Sequence, residues 1–590
     1  MAEADLSLPP TPLTSLKQST PAEVPLPPPG SQRLRDPGEA TPGALDLARA
    51  LGLSITAADV LHRRGRVADE ATQRFLEPRL SHLTSPDAMA DREASADRLA
   101  RAIRARERIV VFGDYDCDGI TATAVMTSVL RALGGEVVPL LATRLEGSYG
   151  LSQRALTRVL ATGATLLVTC DCGSSDHERL AAVKARGIDA IVIDHHLVPA
   201  EPLPVLAFLN PHRPECGFPY KGMASCGLAL SLGAALRRAL GVELDIRPFL
   251  DLVAIGTIAD VAPLDGDNRA LVRAGLAVIA GVGRRPGLRA LAENAKIDLS
   301  QGVRAEDVAF RIAPRLNAPG RLGDPDLSLQ LLLEQNPATA VAIAATVEQL
   351  ALQRRAIQDE MLADALAEID RNGWGTAPGI VLARRGWHPG VVGIVAGRVA
   401  SRFGRPTIVI ALETDKGRGS VRGPSGSRLH DALTRCKHEL VGFGGHQAAA
   451  GVEVRESRVD ALRDAWCDAL ASVPPGRGEA DGEADVRLDD RDDPAAVVRD
   501  LLRLEPCGEG NRAPRVLLAG ARIVTAKNLK GHLKLEMTHG RLTLSGFGFE
   551  LGGRAAGLVG GRADVVGLLR PDTWRGGSAV ELRIERVSGG

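Results

Sequence analysis

The sequence predicts an α/β protein with a doubly wound parallel sheet, a long connecting helix, a smaller second α/β unit and a C-terminal β-barrel or sandwich. Short apolar runs alternate with helical segments from Glu107 onward, which is typical of a parallel sheet. One amphipathic stretch follows from Pro337 to about Arg371. Beyond the linker SVPPGRGEADGEAD the chain consists of short strand-like runs and glycines, which favour a small β-barrel or sandwich.

Length and composition are those of a globular protein with several domains. The 590 residues correspond to about three or four domains. A content of 45% hydrophobic and 24% charged residues excludes a wholly disordered or collagen-like chain. The N-terminus lacks a basic region followed by an apolar core, and no uncharged apolar run is long enough to cross a membrane. We therefore expect a cytoplasmic protein with reduced cysteines and no membrane partner.

Charge is balanced over the whole chain but not along it. The 72 basic and 72 acidic side chains give no overall sign of a nucleic-acid partner. Residues 476–510 carry 5 basic and 11 acidic side chains, whereas residues 511–590 carry 13 basic and 6 acidic ones. The basic C-terminal module is either a polyanion-binding surface or a solvated surface of uneven charge.

The predicted elements follow one another along the chain. The first 42 residues hold 10 of the 36 prolines and are expected to be disordered. Helical spacing of apolar residues predicts helices over residues 43–104. Buried strands are predicted at residues 108–112, 136–142, 165–170, 189–193 and 252–258. Pro337 favours the start of the connecting helix and Asn372-Gly373 its end, which makes it about 50 Å long.

These elements divide the chain into six segments. They are a proline-rich tail (1–42), an N-terminal helical segment (43–104), a parallel-sheet domain (105–265), a helical region with the long helix (266–372), a second α/β domain (373–472) and an acidic linker with the β-domain (473–590).

Three carboxylates follow the first predicted strand, at Asp114, Asp116 and Asp118. Alternate residues of an extended chain point the same way, so these carboxylates converge and require a cation such as Mg²⁺ or Mn²⁺. A calcium loop would need Glu at its twelfth position, where Val125 stands. An aspartyl-phosphatase motif, D-x-D-G-T, stays open as an alternative, although Ile120 replaces its threonine.

Further candidate ligands follow other predicted strands. The third strand is followed by Asp171, the fourth by Asp194, His195 and His196, and the fifth by Asp260. Doubly wound sheets bind ligands at the carboxyl ends of their strands. Carboxylates and imidazoles gathered there form the shell that a two-metal phosphoesterase needs.

Several motifs resemble those of the DHH phosphoesterase superfamily. Its four motifs are matched by GDYDCDGITAT, TCDCGSSDH, DHH and DLVAIGTIADVAPL. The resemblance is closest to the RecJ exonucleases and extends through RLEGSYGLS (144–152), NPHRPEC (210–216), RIAPRLNAPGR (311–321), WHPGVVGIVAGR (387–398), GRGSVRG (417–423), FGGHQAAAG (443–451) and LEPCGEGNRAP (504–514). It covers about residues 45–590 and implies a DHH domain, a connecting helix, a DHH-associated domain and an OB-fold barrel.

The resemblance also implies roles for individual residues. Two ions, Mn²⁺ or Mg²⁺, would be held by metal ligands at Asp116, Asp118, Asp171, His195 and Asp260, with Asp114 in or beside this shell. The catalytic histidines would be His196, which would bond a phosphate oxygen, and His388. Substrate would be bound by Arg144, Arg321, Ser420, Arg422, His446 and, as weaker candidates, Arg315 and Asn317, with the Gly-Ser-Val-Arg turn resembling a pocket for a 5′ phosphate.

The function that the resemblance implies is metal-dependent digestion of single-stranded DNA from its 5′ end to 5′-mononucleotides, in recombination and repair. Implied partners are a single-strand-binding protein and a RecQ-type helicase, with the enzyme a nucleoid-associated monomer. A DHH phosphodiesterase for very short or cyclic oligonucleotides and a scaffold with a dead site are the alternatives. In the basic module, Phe547 and Phe549 are expected in the core, although either could stack on a base.

Overall fold

The computed structural model describes residues 34–144, 150–281, 285–445, 447, 449–473, 483–540, 542–572 and 579–588. His446 and most of the proline-rich segment 1–42, which figure in the predictions above, lie outside these residues. Among the described helices, none combines the length and apolarity that crossing a membrane requires.

A parallel five-stranded sheet organises the first unit, as predicted. Its strands are β1 (Arg108–Gly113), β2 (Glu136–Leu141), β3 (Leu166–Cys170), β4 (Asp189–Ile193) and β5 (Ala207–Leu209). They lie in the order β2-β1-β3-β4-β5, and every neighbouring pair is parallel. Because the order steps outward from β1 in both directions, the carboxyl ends of β1 and β3 are where such a sheet binds ligands.

Helices pack on both faces of this sheet. The helices of the first 333 residues are α1 (Pro42–Leu51), α2 (Ile55–Arg63), α3 (Glu70–Leu76), α4 (Arg92–Ala105), α5 (Cys117–Ala132), α6 (Gln153–Ala161), α7 (His177–Ala185), α8 (Ser225–Leu240), α9 (Leu250–Ala259), α10 (Gly266–Ala280), α11 (Pro286–Asn294), α12 (Ala305–Asp307), α13 (Ala313–Leu322) and α14 (Asp326–Leu333). Alternate residues of β1 belong to two hydrophobic cores, one containing Ile109 and Val111 with α5 and α8, the other containing Val110 and Phe112 with α6 and α7.

The strand predicted at residues 252–258 is wrong. These residues lie in helix α9, which contacts α5, α8 and α10 and buries every residue from Leu250 to Ile258. A segment that is apolar on all sides shows no period of 3.6, so its sequence does not distinguish a buried helix from a buried strand. Asp260 therefore caps the end of a helix, and the fifth strand of the sheet is β5.

The long connecting helix is confirmed as α15 (Pro337–Asn372), with 36 residues. Its N-cap Asn336 accepts hydrogen bonds from the N–H groups of Ala338 and Thr339, and Gly373 ends it in the left-handed region with φ 69°. It leads to the second α/β unit, formed by β6 (Ile380–Arg385), α16 (Val392–Phe403), β7 (Thr407–Leu412), β8 (Lys416–Arg422), α17 (Leu429–Arg435), β9 (Gly442–Gly445), β10 (Ala449–Arg455) and α18 (Val459–Ser472). The strands of this unit lie in the order β6-β7-β8-β10-β9.

The C-terminal unit is a closed barrel, as the resemblance implied. Its elements are β11 (Val486–Arg487), α19 (Pro494–Leu502), β12 (Val516–Leu529), β13 (His532–His539), β14 (Leu542–Gly548), β15 (Arg562–Pro571) and β16 (Val580–Ser588). The strand order β12-β13-β14-β16-β15 closes by pairing of β15 with β12. Each of these five strands therefore pairs with two others of the five, as in an OB-fold barrel, while the short β11 pairs, among the described strands, only with β12.

Phe547 and Phe549 were both expected in the core, and this expectation is wrong for Phe549. The Phe549 side chain is 59% exposed, because it lies just beyond the end of β14. Phe547 is half-buried, and the two rings form an edge-on cluster with His532. The sequence pattern did not show this because it does not reveal where β14 ends.

The N-terminal helices share a hydrophobic core with the C-terminal barrel. Leu47, Leu61 and Leu76 pack in the same cluster as β12, β13 and β16. Arg269 of α10 lies beneath this contact with 1% of its surface exposed. Its guanidinium donates hydrogen bonds of 2.8–3.1 Å to the carbonyl oxygens of Phe75, Arg503, Leu504, Glu505 and Pro506. The N-terminal helices and the hydrogen bonds of Arg269 therefore attach the barrel to the first unit.

Candidate metal centre and substrate channel

Aspartate and histidine side chains converge at the carboxyl edge of the parallel sheet. Nε2 of His195 lies 3.3 Å from Oδ1 of Asp171 and 3.6 Å from Oδ2 of Asp260. Ligand atoms come within 4.8 Å of one another in three groups, Asp171 with His195 and His196, Asp118 with His195 and Asp260, and Asp114 with Asp116 and Asp171. Asp171 and His195 each belong to two groups, so the three groups form one continuous site.

The carboxylates of this site are crowded and buried. Burial and the charge of Asp116 raise the pKa of Asp114 well above its usual range. Burial and the charge of Asp118 do the same to Asp171, and they raise the pKa of Asp260 to about 8. Bound divalent cations would relieve this repulsion.

Two buried ligand atoms lack a hydrogen-bond partner among the described residues, Oδ1 of Asp114 and Nε2 of His195. Leaving a buried polar atom unsatisfied costs about 1–3 kcal/mol. A cation would satisfy both atoms, and carboxylate oxygens with imidazole nitrogens suit Mn²⁺ and Mg²⁺. The residues present therefore fit the two ions that the sequence implied.

Close packing of the turn between β1 and α5 places the first carboxylates. A Cβ at Gly113 would lie 1.9 Å from Oγ1 of Thr123, and one at Gly119 would lie 2.5 Å from the Asp114 carbonyl oxygen. Both positions therefore require glycine. Oδ1 of Asp116 caps α5 by accepting the N–H groups of residues 118 and 119 at 3.1 and 3.2 Å.

The N-terminus of α8 holds two further ligands, a role that no sequence motif revealed. The Ser225 N–H donates to Oδ2 of Asp118 at 2.8 Å, and the Cys226 N–H donates to Oδ1 at 3.0 Å. The Ser225 hydroxyl donates to Oδ1 of Asp171 at 3.0 Å. Asp171 itself has φ 62°, a left-handed conformation that aspartate tolerates better than most residues.

Asp194 orients the histidine pair without belonging to the three ligand groups. Its Oδ1 accepts hydrogen bonds from the backbone N–H of His195 at 2.8 Å and from Nδ1 of His196 at 2.7 Å. The Ser174 N–H donates to Oδ2 at 3.0 Å. Burial alone would raise the pKa of Asp194, but the bond to His196 lowers it to about 2. Burial opposes protonation of His196, but the hydrogen bond and charge of Asp194 raise its pKa to about 9.

Four arginine side chains gather beside the carboxylates, one each from α13, α15, β8 and the segment after β2. Burial, Arg144 and Arg354 lower the pKa of Arg321 to about 10, and burial and Arg144 lower that of Arg422. Nε of Arg144 and Nε of Arg354 are buried without a hydrogen-bond partner in the described structure. These four arginines, here called the guanidinium cluster, are suited to bind an anion. Arg354 was missed because nothing in its helical sequence marks it.

The turn predicted for Gly-Ser-Val-Arg (419–422) is wrong, because these residues form the end of strand β8, paired with β7 and β10, and lie against the first turn of α16. A Cβ at Gly393 would lie 3.1 Å from Oγ of Ser420 and 3.3 Å from Nη2 of Arg422. A side chain at position 393 would therefore press against Ser420 and Arg422, which glycine leaves undisturbed.

The other described residues predicted for catalysis or substrate binding are His388, Arg315 and Asn317, and each has a different set of contacts. His388 accepts the Gly390 N–H on Nδ1 at 3.1 Å, and the Gly390 carbonyl accepts a hydrogen bond from Arg321, also at 3.1 Å. Arg315 forms a bidentate ion pair with Glu348, so its guanidinium is already engaged. Asn317 lines a large cavity.

This cavity, of about 800 Å³, lies between the first unit and the barrel. Arg321 and Arg354 of the guanidinium cluster line one part of it, and Arg570 and Arg583 of the barrel line another. Its charged lining consists of seven arginines and four glutamates. The C-terminal module thus contributes arginines to the same cavity as the guanidinium cluster, with Arg570 paired to Glu581 and Arg583 to Glu306.

Comparison with known families matches three parts of the chain. Residues 108–257 match the DHH family, N-terminal domain, residues 377–472 match the DHHA1 domain, and residues 484–586 match the RecJ OB domain. The single-stranded-DNA-specific exonuclease RecJ of Bacillus subtilis (strain 168) is 32% identical over 553 residues, which are 91% of this chain and 68% of that protein.

Solved structures agree with this assignment. The crystal structure of RecJ from Thermus thermophilus in complex with Mn²⁺ is similar with a TM-score of 0.79 and 32% identity, over 93% of this chain and 78% of that one. The complex of the same protein with Mg²⁺ gives a TM-score of 0.73 and 31% identity, over 93% and 77% of the two chains. The chain therefore belongs to the RecJ family of single-stranded-DNA-specific exonucleases.

Proposed function

We propose that the protein is a two-metal-dependent exonuclease that degrades single-stranded DNA from the 5′ end to 5′-mononucleotides, in recombination and repair. The observation that carries this proposal is the guanidinium cluster, which adjoins the carboxylate cluster. Burial raises the pKa of Asp114 and the charge of Arg144 opposes that rise, while the charge of Asp116 acts on Arg321. The Arg144 guanidinium lies 4.2 Å from the centre of the Tyr115 ring, between the two aspartates in sequence. A phosphate bound by the arginines would present its neighbouring phosphodiester to the metal ligands.

Each group at the centre has a proposed task. Two Mn²⁺ or Mg²⁺ ions would be held by Asp114, Asp116, Asp118, Asp171, His195 and Asp260. When bound, such ions supply an activated water and stabilise charge on the leaving oxygen. His196, oriented through Nδ1 by Asp194, offers Nε2 to a phosphate oxygen of the substrate. His388 is held beside Arg321 because both side chains form hydrogen bonds with the backbone of Gly390, and it is proposed to contact the substrate there.

Recognition of the 5′ end is assigned to a pocket formed by Arg144, Arg321, Ser420 and Arg422. A terminal phosphate has more oxygens and more charge than an internal diester, so guanidinium groups and a hydroxyl favour it. Asn317 and His446 are proposed to contact the strand. Arg315 is proposed to act indirectly, because Glu348 binds its guanidinium.

The alternatives receive less support. A phosphodiesterase for very short or cyclic oligonucleotides needs neither the barrel nor a cavity of about 800 Å³ lined by it. A scaffold with a dead site would have lost metal ligands, whereas all six are present. The aspartyl-phosphatase interpretation does not account for the imidazole ligands.

The test is a time course on one 5′-phosphorylated single strand, labelled separately at each end, with Mn²⁺, with Mg²⁺ and with EDTA. Early release of 5′-labelled mononucleotide is expected, with no release in EDTA and none from the matching blunt duplex. Binding without cleavage in either metal would favour the dead scaffold. Cleavage confined to much shorter substrates would favour the small phosphodiesterases.

A second prediction concerns Asp194 as a positioning residue. Asp194→Asn replaces one carboxylate oxygen with an amide NH₂ group, which cannot accept a hydrogen bond. Either the donors of His195 and His196 or the Ser174 N–H would then lose their acceptor. We expect kcat to fall about 10- to 100-fold, with little change in KM for the oligonucleotide. The matched control is Asp189→Asn, at the opposite end of β4, where the carboxylate bonds Arg98 instead. Equal loss in both variants, or a change confined to KM, would contradict the assigned role.

Partners and location follow from the same proposal. We propose that the enzyme is a monomer of the cytoplasm, associated with the nucleoid, that works beside a single-strand-binding protein and a RecQ-type helicase. We also propose that its functional units follow the limits 105–265, 373–472 and 473–590. Co-purification tests the two proposed partners, and the mass of the protein in solution tests the monomeric state.

A further inference from the structure

We propose that Phe310 stacks on a base of the single strand within the cavity between the first unit and the barrel. This inference rests on the proposed function and assigns to it a residue that positions the strand. The Phe310 side chain is 78% exposed and lines the cavity. Single exposed apolar residues are ordinary, so the argument depends on what surrounds this one.

The backbone presents Phe310 from a rigid support. It lies in a π-helical turn, Val308–Ile312, between α12 and α13. Val308 and Ile312 are fully buried on either side, and Arg311 bonds the Ala295 carbonyl oxygen. Widened helical turns of this kind are rare and occur frequently at functional sites. The ring is thus held in the cavity by an anchored turn.

A second exposed apolar side chain lines the same cavity and follows a candidate metal ligand in sequence. Val261 follows the ligand Asp260, lines the cavity and is 63% exposed. Its φ of 58° is a left-handed conformation that a β-branched residue adopts only under strain. Leu502 of α19, 43% exposed, also lines the cavity. The cavity that Phe310 lines therefore also contains Val261, the residue next to the candidate ligand Asp260.

Single-stranded DNA matches the chemistry of this cavity. Its charged lining holds seven arginines and four glutamates, so a net positive charge remains even though Arg515, Arg570 and Arg583 form ion pairs with Glu585, Glu581 and Glu306. A strand with its bases toward Phe310 and Val261 and its phosphates toward the arginines would satisfy both kinds of surface. The cavity also reaches Arg321 of the guanidinium cluster, which favours nucleic acid over a peptide as the occupant.

The experiment uses 5′-phosphorylated oligonucleotides that each carry one abasic nucleotide, moved inward one position at a time from the second nucleotide. For the unchanged protein we expect kcat/KM to fall about tenfold at the position whose base meets Phe310. Phe310→Ala should lower kcat/KM on the unmodified strand by about the same factor and show no further fall at that position. Phe310→Trp should restore the position-specific fall.

Controls separate this inference from the proposed function. Val559→Ala removes an exposed apolar side chain, 60% exposed, that does not line the cavity, and should behave as the unchanged protein. Persistence of the position-specific fall in Phe310→Ala, or its absence in an unchanged protein that digests the unmodified strand, would overturn the inference alone. If the unchanged protein digests no strand, the proposed function fails and the inference fails with it.

Discussion

Asp171→Asn is expected to lower nuclease activity more than about 10³-fold, because several kcal/mol of charge stabilisation depend on intact metal ligation. Asp171 belongs to two of the three candidate ligand groups, so its loss is expected to weaken metal binding by both. Asparagine has the same shape and tolerates the left-handed backbone at φ 62°. The measurement is the rate of mononucleotide release at saturating Mn²⁺.

Thermal unfolding provides the second readout for this variant. Without metal, Asp171→Asn should unfold no earlier than the unchanged protein, because burial and neighbouring charge already disfavour the ionised carboxylate. Added Mn²⁺ should stabilise the unchanged protein much more than the variant. Asp91→Asn, which changes an aspartate of similar φ, 59°, outside the ligand groups, is the matched control. Ordinary activity in Asp171→Asn would remove Asp171 from the site.

Arg269→Met is expected to destabilise the junction between the barrel and the first unit by about 3 kcal/mol or more, because buried carbonyl oxygens lose their donors. Burial lowers the pKa of Arg269 to about 10, so the guanidinium is protonated at neutral pH. A chain of several domains does not unfold in one step. The effect should therefore appear as an earlier first transition and as faster proteolysis between the units.

This variant should also separate DNA binding from chemistry. A loosened barrel no longer holds its wall of the cavity in place, so affinity for long single strands should fall while hydrolysis of very short substrates persists. Arg273→Met is the matched control, since the one hydrogen bond that Arg273 donates within the described residues goes to the Leu76 carbonyl oxygen at 3.1 Å. An unchanged first transition in Arg269→Met would mean that the shared hydrophobic core alone holds the two ends together.

Many site residues could be predicted because their positions follow from local geometry. Carboxylates after β1 and β3 and histidines after β4 meet at one edge wherever parallel strands are adjacent. Asp260 was placed at the same site although its segment was taken for a strand. Asp260 nevertheless lies beside Asp118 and His195, because the motif, rather than the secondary structure, marked its position.

Residues that act through contacts between distant segments were not predictable. Ser225 holds two ligands, Arg354 joins the guanidinium cluster, and Phe310 lines the cavity, yet each is an ordinary residue in an ordinary helical sequence. Arg315, in contrast, stands in a motif but is bound by Glu348 from α15. The role of each of these residues depends on its contacts with side chains that are distant in sequence.

The α/β class, the long helix and the convergence of the candidate metal-binding side chains could be predicted from the sequence, and the closed C-terminal β-unit from the resemblance. These depend on periodicity, breakers and short motifs, which are local properties of the chain. The tertiary structure alone decided that α9 is a helix, that the N-terminal helices join the barrel, and that Arg269 secures that junction. The reason is physical: burial on all sides erases the periodic pattern, and packing between chain ends depends on the fold as a whole.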